Sequence, residues 1–135
     1  MSACLLGIKC CWDGKSKPCK RAISLFKKGG IIPVCPEQLG GLSTPRPPQE
    51  IQKNGRILNK DGKDVTKSFK RGARETLKLA KLFGAKEFVG KSKSPSCGFG
   101  KVYDGSFSGK LINGNGVTSA LLQKRGIKIK TEKDL

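Results

Sequence analysis

The order of its apolar segments restricts most tightly what this chain can fold into. Ser2 to Leu5 is a short strand-like run ahead of a helical stretch from Lys20 to Lys28. Ile31 to Val34 precedes a second helical stretch, Thr66 to Phe83, and Lys86 to Val89 precedes a third, Val117 to Lys124, before a last run at Ile127 to Ile129. Such alternation predicts stacked strand-helix units, because a strand parallel to its predecessor needs a crossover long enough to hold a helix. The expected architecture is α/β, a single Rossmann-like domain over residues 1–135 with a mostly parallel sheet flanked by helices. The span from Gln38 to Asn59 and the glycine-rich span from Gly98 to Gly116 read as loops. No internal repeat and no linker argues for a second domain.

The helical segment from Thr66 to Phe83 is amphipathic. Lys67, Arg71, Arg74, Lys78 and Lys81 recur at spacings of four and three, and Phe69, Ala73, Leu77, Ala80 and Phe83 occupy the opposite face. The expectation is a helix packed on a core with its cations outward. Asp64 to Thr66 supply N-cap candidates, and Gly84 stops it. The whole chain carries 28 Lys and Arg against 10 Asp and Glu, a formal net charge of +18. An excess of that size makes RNA a candidate partner through weak, salt-dependent phosphate contacts, although Phe 6, Trp 1 and Tyr 1 do not form a base-stacking motif. No apolar run reaches the roughly 20 residues that a membrane-spanning helix needs. The first residues also lack a signal-peptide pattern, so the protein is expected in the cytoplasm.

Histidine is absent, which excludes Ser-His and Cys-His nucleophile pairs and every zinc site that uses imidazole. Cysteine is abundant, with Cys4, Cys10, Cys11, Cys19, Cys35 and Cys97. In a reducing compartment such thiols favour metal binding or chemistry over disulfides. In parallel α/β sheets ligands bind outside the carboxyl ends of the strands. Cys4 ends or follows the first strand-like run, Cys35 ends the second and Cys97 sits in the loop after the third, so all three are expected at that edge. Cys10, Cys11 and Cys19 share one loop, with Cys10 the rival of Cys4 as first ligand. Paired C-x2-C spacings are missing, which weakens a structural zinc module, although a zinc or thiol-binding role stays open. Soft thiolates also select iron-sulfur clusters, and three protein ligands leave one iron with an open position.

Two further groups stand beside these cysteines. Glu37 lies two residues after Cys35 and, with no imidazole available, is the natural proton-transfer group. Ser94, three residues before Cys97, can position water or accept a covalent intermediate, or simply shape the turn before Pro95.

Five separated motifs then occur in a recognisable order. Ser2-Ala3-Cys4-Leu5-Leu6-Gly7-Ile8-Lys9-Cys10 is followed by Cys35-Pro36-Glu37-Gln38-Leu39-Gly40-Gly41-Leu42 with Thr44-Pro45-Arg46. Gly62-Lys63-Asp64-Val65-Thr66, Ser94-Pro95-Ser96-Cys97-Gly98 and Asp104-Gly105-Ser106-Phe107-Ser108-Gly109 complete the set. Together they resemble the 2-thiouracil desulfurase family across nearly the whole chain. Cys11 and Trp12 stand where that family commonly has a basic residue and a tyrosine, and its usual apolar lead before the first motif is here only Met1.

The resemblance implies a [4Fe-4S] cluster on three cysteines, carried here by Cys4, Cys35 and Cys97, with the fourth iron open to substrate. It further implies Glu37 and Ser94 as the assisting pair in a non-redox reaction on a thiolated pyrimidine, in which thiocarbonyl becomes carbonyl and sulfide leaves. Gly98, Phe99 and Gly100 are expected to line the pyrimidine pocket through backbone contacts. An RNA-binding or thio-tRNA-directed accessory domain is the alternative.

Overall fold

The structure, a computed structural model, describes residues 1–135. Four helices form: α1 (Lys20–Lys27), α2 (Pro36–Leu39), α3 (Thr66–Leu82) and α4 (Val117–Lys124). Six short strands accompany them: β1 (Gln49–Ile51), β2 (Ile57–Asn59), β3 (Glu87–Gly90), β4 (Lys101–Tyr103), β5 (Leu111–Asn113) and β6 (Lys128–Thr131). The expected α/β class is found, but as three two-stranded sheets instead of one mostly parallel sheet. β3 and β6 are parallel, with Phe88 opposite Ile129, whereas β1–β2 and β4–β5 are antiparallel.

The first two expected strands shrink to single positions. Ser2 and Val34 form an isolated parallel bridge, and the Ser2 N–H donates to the Val89 carbonyl at 2.9 Å, so both segments continue alongside β3. After Ser2 the chain winds into a 3-10 turn, Ala3–Leu6, closed by Gly7 in the left-handed conformation. Before Val34, Pro33 has no N–H to give a ladder, which confines that segment to one bridge. The two spans read as loops each contain a hairpin, Gln49–Ile51 with Ile57–Asn59 and Lys101–Tyr103 with Leu111–Asn113.

α3 buries Phe69, Ala73 and Leu77 and points its cationic stripe at solvent, as its periodicity requires. Its C-terminal end departs from expectation, because Phe83 is 65% exposed and lies beyond the core. One core cluster joins Val34, Leu77, Phe88, Cys97, Leu122, Ile127 and Ile129 between β3, β6, α3 and α4. A second gathers Ala3, Cys4, Leu5, Cys10, Ala22 and Val89 around the N-terminal turn. No helix is long and apolar enough to cross a membrane.

Candidate active site

Two close backbone approaches set the positions of the site residues. α3 lies against the start of α2 so tightly that a Cβ at Gly72 would sit 1.8 Å from the Pro36 carbonyl oxygen. Behind the 91–98 turn, a Cβ at Gly90 would sit 1.9 Å from the Cys97 carbonyl oxygen. Only glycine fits at either place, and through them the helix and the parallel strands hold Cys35, Glu37 and Cys97 by their backbone. Cys35 is the N-cap of α2 and Pro36 its first residue, where a fixed φ suits helix entry. The Ser94 hydroxyl oxygen accepts the N–H groups of Ser96 at 3.1 Å and Cys97 at 3.0 Å, which shapes the turn carrying the last cysteine.

All of these groups face one open cavity of about 760 Å³, lined by Cys4, Cys10, Cys11, Cys35 and Cys97 together with Glu37 and Ser94. Cys19 lies outside it, against the second core cluster. Burial pushes the Cys97 thiol up to about 12. The Cys35 thiol is raised by its contact with Cys10 and by burial. Cys10 feels a downward pull from Cys35, but Cys4 and burial outweigh it and bring the group up to about 11. Thiols so resistant to ionisation alone become thiolates when a metal binds, since the metal supplies the missing charge.

No group of three or more Cys, Asp and Glu is close enough to share a single metal ion. Three reduced cysteines from three separate segments on one cavity are a donor set of the chemistry a cluster takes.

Glu37 is paired with Arg46, a residue whose role sequence reading missed although it closes the Thr44-Pro45-Arg46 motif. Nε of Arg46 donates to Oε2 of Glu37 at 2.8 Å, and the second guanidinium nitrogen stands 2.7 Å from the same oxygen. The rest of the guanidinium donates to the carbonyls of Ser43 and Cys10 and to the Thr44 hydroxyl. Burial raises the Glu37 pKa, with Arg46 pulling the other way. Oε1 of Glu37 makes no protein hydrogen bond and is not fully sealed, and Glu37 lines the cavity.

The expected pocket residues Gly98, Phe99 and Gly100 do not line this cavity. Phe99 packs on the first core cluster and, with Gly100, borders a separate groove, because Gly98 folds back against Ser94 and turns the chain away. The aromatic lining comes from Trp12, Tyr103 and Phe107, and Lys17, Lys60, Lys91, Lys93 and Lys133 stand around the same space. Glu132 pairs with Lys91 at 2.7 Å and accepts from Ser92.

The chain is 40% identical over 144 residues to YbbK, an uncharacterized protein of Bacillus subtilis (strain 168), across 100% of this chain and 95% of that one. The solved structure of TudS, a [4Fe-4S]-dependent thiouracil desulfidase, superposes with a TM-score of 0.94 at 42% identity, over 99% of this chain and 89% of that chain. A family model described as 2-thiouracil desulfurase matches residues 1–134, and the chain belongs to that family.

Proposed function

We propose that this protein is a [4Fe-4S]-dependent desulfurase that converts the thiocarbonyl of a thiolated pyrimidine such as 2-thiouracil to a carbonyl. The observation that carries the reading is that Cys4, Cys35 and Cys97, together with Cys10 and Cys11, line one cavity with the buried, Arg46-paired carboxylate of Glu37. These three cysteines would hold the cluster, with Cys10 the competing ligand to Cys4. The short parallel alignment of Val34, Ser2, Val89 and β6 supports reading this end of the fold as Rossmann-like, with the cysteines at its edge. When bound, the cluster supplies a thiophilic Lewis acid at an iron without a protein ligand.

The reaction balances as thiocarbonyl plus water giving carbonyl plus hydrogen sulfide, with no electrons exchanged. Oε1 of Glu37 takes one proton from the attacking water and then the second from the hydroxyl so formed as the carbonyl closes, and returns each in turn to the leaving sulfur, which departs as hydrogen sulfide. Arg46 fixes that carboxylate through Oε2 and keeps it from rotating into the protein. The Ser94 oxygen accepts two backbone N–H groups, which leaves its own O–H free to donate into the cavity. A second reading, direct action on thiolated RNA, draws on the five lysines around the opening.

The test is anaerobic purification followed by iron and acid-labile sulfide analysis and sulfide release from 2-thiouracil, for wild type and Cys97→Ala. About four irons per chain, lost in the variant, with turnover in the wild type, is the expected result. A full cluster with no sulfide release would remove 2-thiouracil as substrate. Salt-dependent tRNA binding that exceeds binding to other polyanions would favour the RNA reading.

A further inference from the structure

The cavity has a wall that the cysteines and Glu37 do not use. Asp104 to Gly109 form a strap between β4 and β5, and Phe107 within it has a φ of 56°, a conformation uncommon for a residue with a Cβ. Surrounding contacts enforce it. Glu50, a buried β1 carboxylate, accepts the N–H of Gly105 at 2.9 Å and of Phe107 at 3.0 Å, both on Oε2. The Gln52 amide donates to the Gly105 carbonyl at 3.1 Å, and Ser106 N–H donates to Asp104 at 2.9 Å. The Phe107 ring is half-buried, belongs to none of the three core clusters, and lines the cavity. A ring held by its backbone in an uncommon conformation, and packed on no core, is placed for something that enters the cavity.

We propose that Phe107 is the platform on which the pyrimidine ring stacks, and that Glu50 is the positioning residue that holds it there. This rests on the desulfurase reading and extends it to recognition. A planar heterocycle presents a π-face to an aromatic side chain whatever its exocyclic atom, so the platform binds the thiolated base and its oxo product alike. Stacking therefore sets affinity and orientation and leaves the proton transfers to Glu37 and Ser94. Trp12 and Tyr103 share the lining, but neither is locked by a buried carboxylate.

The experiment compares wild type, Phe107→Ala, Phe107→Tyr, Glu50→Ala, Glu50→Gln and the double variant Glu50→Ala/Phe107→Ala as anaerobically loaded holoenzymes. KM and kcat for 2-thiouracil are measured, with uracil affinity by calorimetry as a readout independent of turnover. Phe107→Ala should raise both KM and the uracil Kd about tenfold or more, the scale of a lost base-aromatic stack. Its kcat should stay within about threefold, because the interaction is made equally in ground and transition states. Phe107→Tyr should restore both affinities.

Glu50→Ala should reproduce the loss, and the double variant should be no worse than Phe107→Ala, since the two act as one unit. Glu50→Gln keeps an acceptor oxygen and should retain most of the affinity; if Glu50→Ala fails to fold, Gln52→Ala, which removes the donor to the Gly105 carbonyl, should raise the uracil Kd in the same direction, and an unchanged Kd overturns the tether. Unchanged KM and uracil affinity in Phe107→Ala, with sulfide still released by the wild type, overturns the platform alone. Additive losses in the double variant overturn the positioning role of Glu50. No sulfide release from 2-thiouracil by the loaded wild type removes that compound as substrate, and an unchanged uracil Kd in Phe107→Ala then overturns the platform as well.

Discussion

The two walls of the cavity are built by different physics. On one, Cys35, Glu37 and Cys97 ride on segments that meet their neighbours backbone to backbone, with glycine at Gly72 and Gly90 because nothing larger fits. On the other, the Asp104 to Gly109 strap stands off the core and is tied down through hydrogen bonds to Glu50 and Gln52. Contact between backbones transmits displacement with almost no give, whereas a side-chain tether has rotamers and can yield. The difference teaches where each task belongs. On the proposed reading, the groups that would hold the cluster sit on the unyielding wall, and the surface that would take the substrate ring sits on the adjustable one.

The comparison would break most visibly at Glu37. Glu37→Gln keeps the shape and loses the proton acceptor, so sulfide release should fall about a hundredfold or more while iron content is unchanged. A modest loss would mean that the chemistry does not belong to this wall. Next in size is Gly72→Ala. In an exposed helix that change stabilises by roughly 0.5–1 kcal/mol, because it removes backbone freedom from the unfolded chain. Here the added Cβ collides with the Pro36 carbonyl, and the cost should be about 1–3 kcal/mol by urea unfolding of the cluster-free protein. A stabilised variant would show that α2 can move, and the contrast between the walls would fail.

Ser94 tests whether one residue serves both structure and reaction. Ser94→Ala removes the acceptor for two N–H groups and should cost about 1 kcal/mol of stability. If the hydroxyl also donates to the substrate, kcat should drop about tenfold or more at full iron content. A loss of activity that merely follows loss of iron would reduce Ser94 to a turn former.

Much of this arrangement was legible in the sequence, and what was hidden had a common cause. α1 and α4 and the body of α3 follow from apolar spacing with glycine beyond two of the helix ends, and they form within a residue or two of where that spacing puts them. The motif cysteines, Glu37 and Ser94 do share one cavity. The two hairpins were not legible, since three-residue strands among glycine and proline carry no usable periodicity. Nor was the use of Arg46 or of Glu50. Each acts through a partner distant in the chain, Phe107 being 57 residues from Glu50, and charge alone does not name a partner. Phe99 was misplaced for the same reason, because its neighbour Gly98 folds back on Ser94.

The smallest expected effect lies where the two walls are joined. Asp64 precedes α3, which backs the rigid wall, and binds Arg56 of the hairpin that carries Glu50. Arg56 Nε donates to Asp64 at 2.7 Å, and the Thr66 N–H donates to its other oxygen at 2.8 Å. The Thr66 contacts and then Arg56 draw the Asp64 pKa down to about 2. A carboxylate held below its ordinary value of 3.8 adds stability that is complete above that value and disappears as the pH falls toward about 2. Asp64→Ala should therefore lower the urea midpoint by the same small amount at pH 6 and pH 8. The gap to wild type should narrow between pH 4 and about 2, as the wild-type carboxylate takes up its proton. Because the ion pair is exposed, salt should shrink the gap at neutral pH as well, and the part that survives salt belongs to the bond with the Thr66 N–H. A gap that is independent of pH would mean that the walls are joined by packing alone, through Ile57, Val65 and Phe69, which form the third core cluster between hairpin and helix.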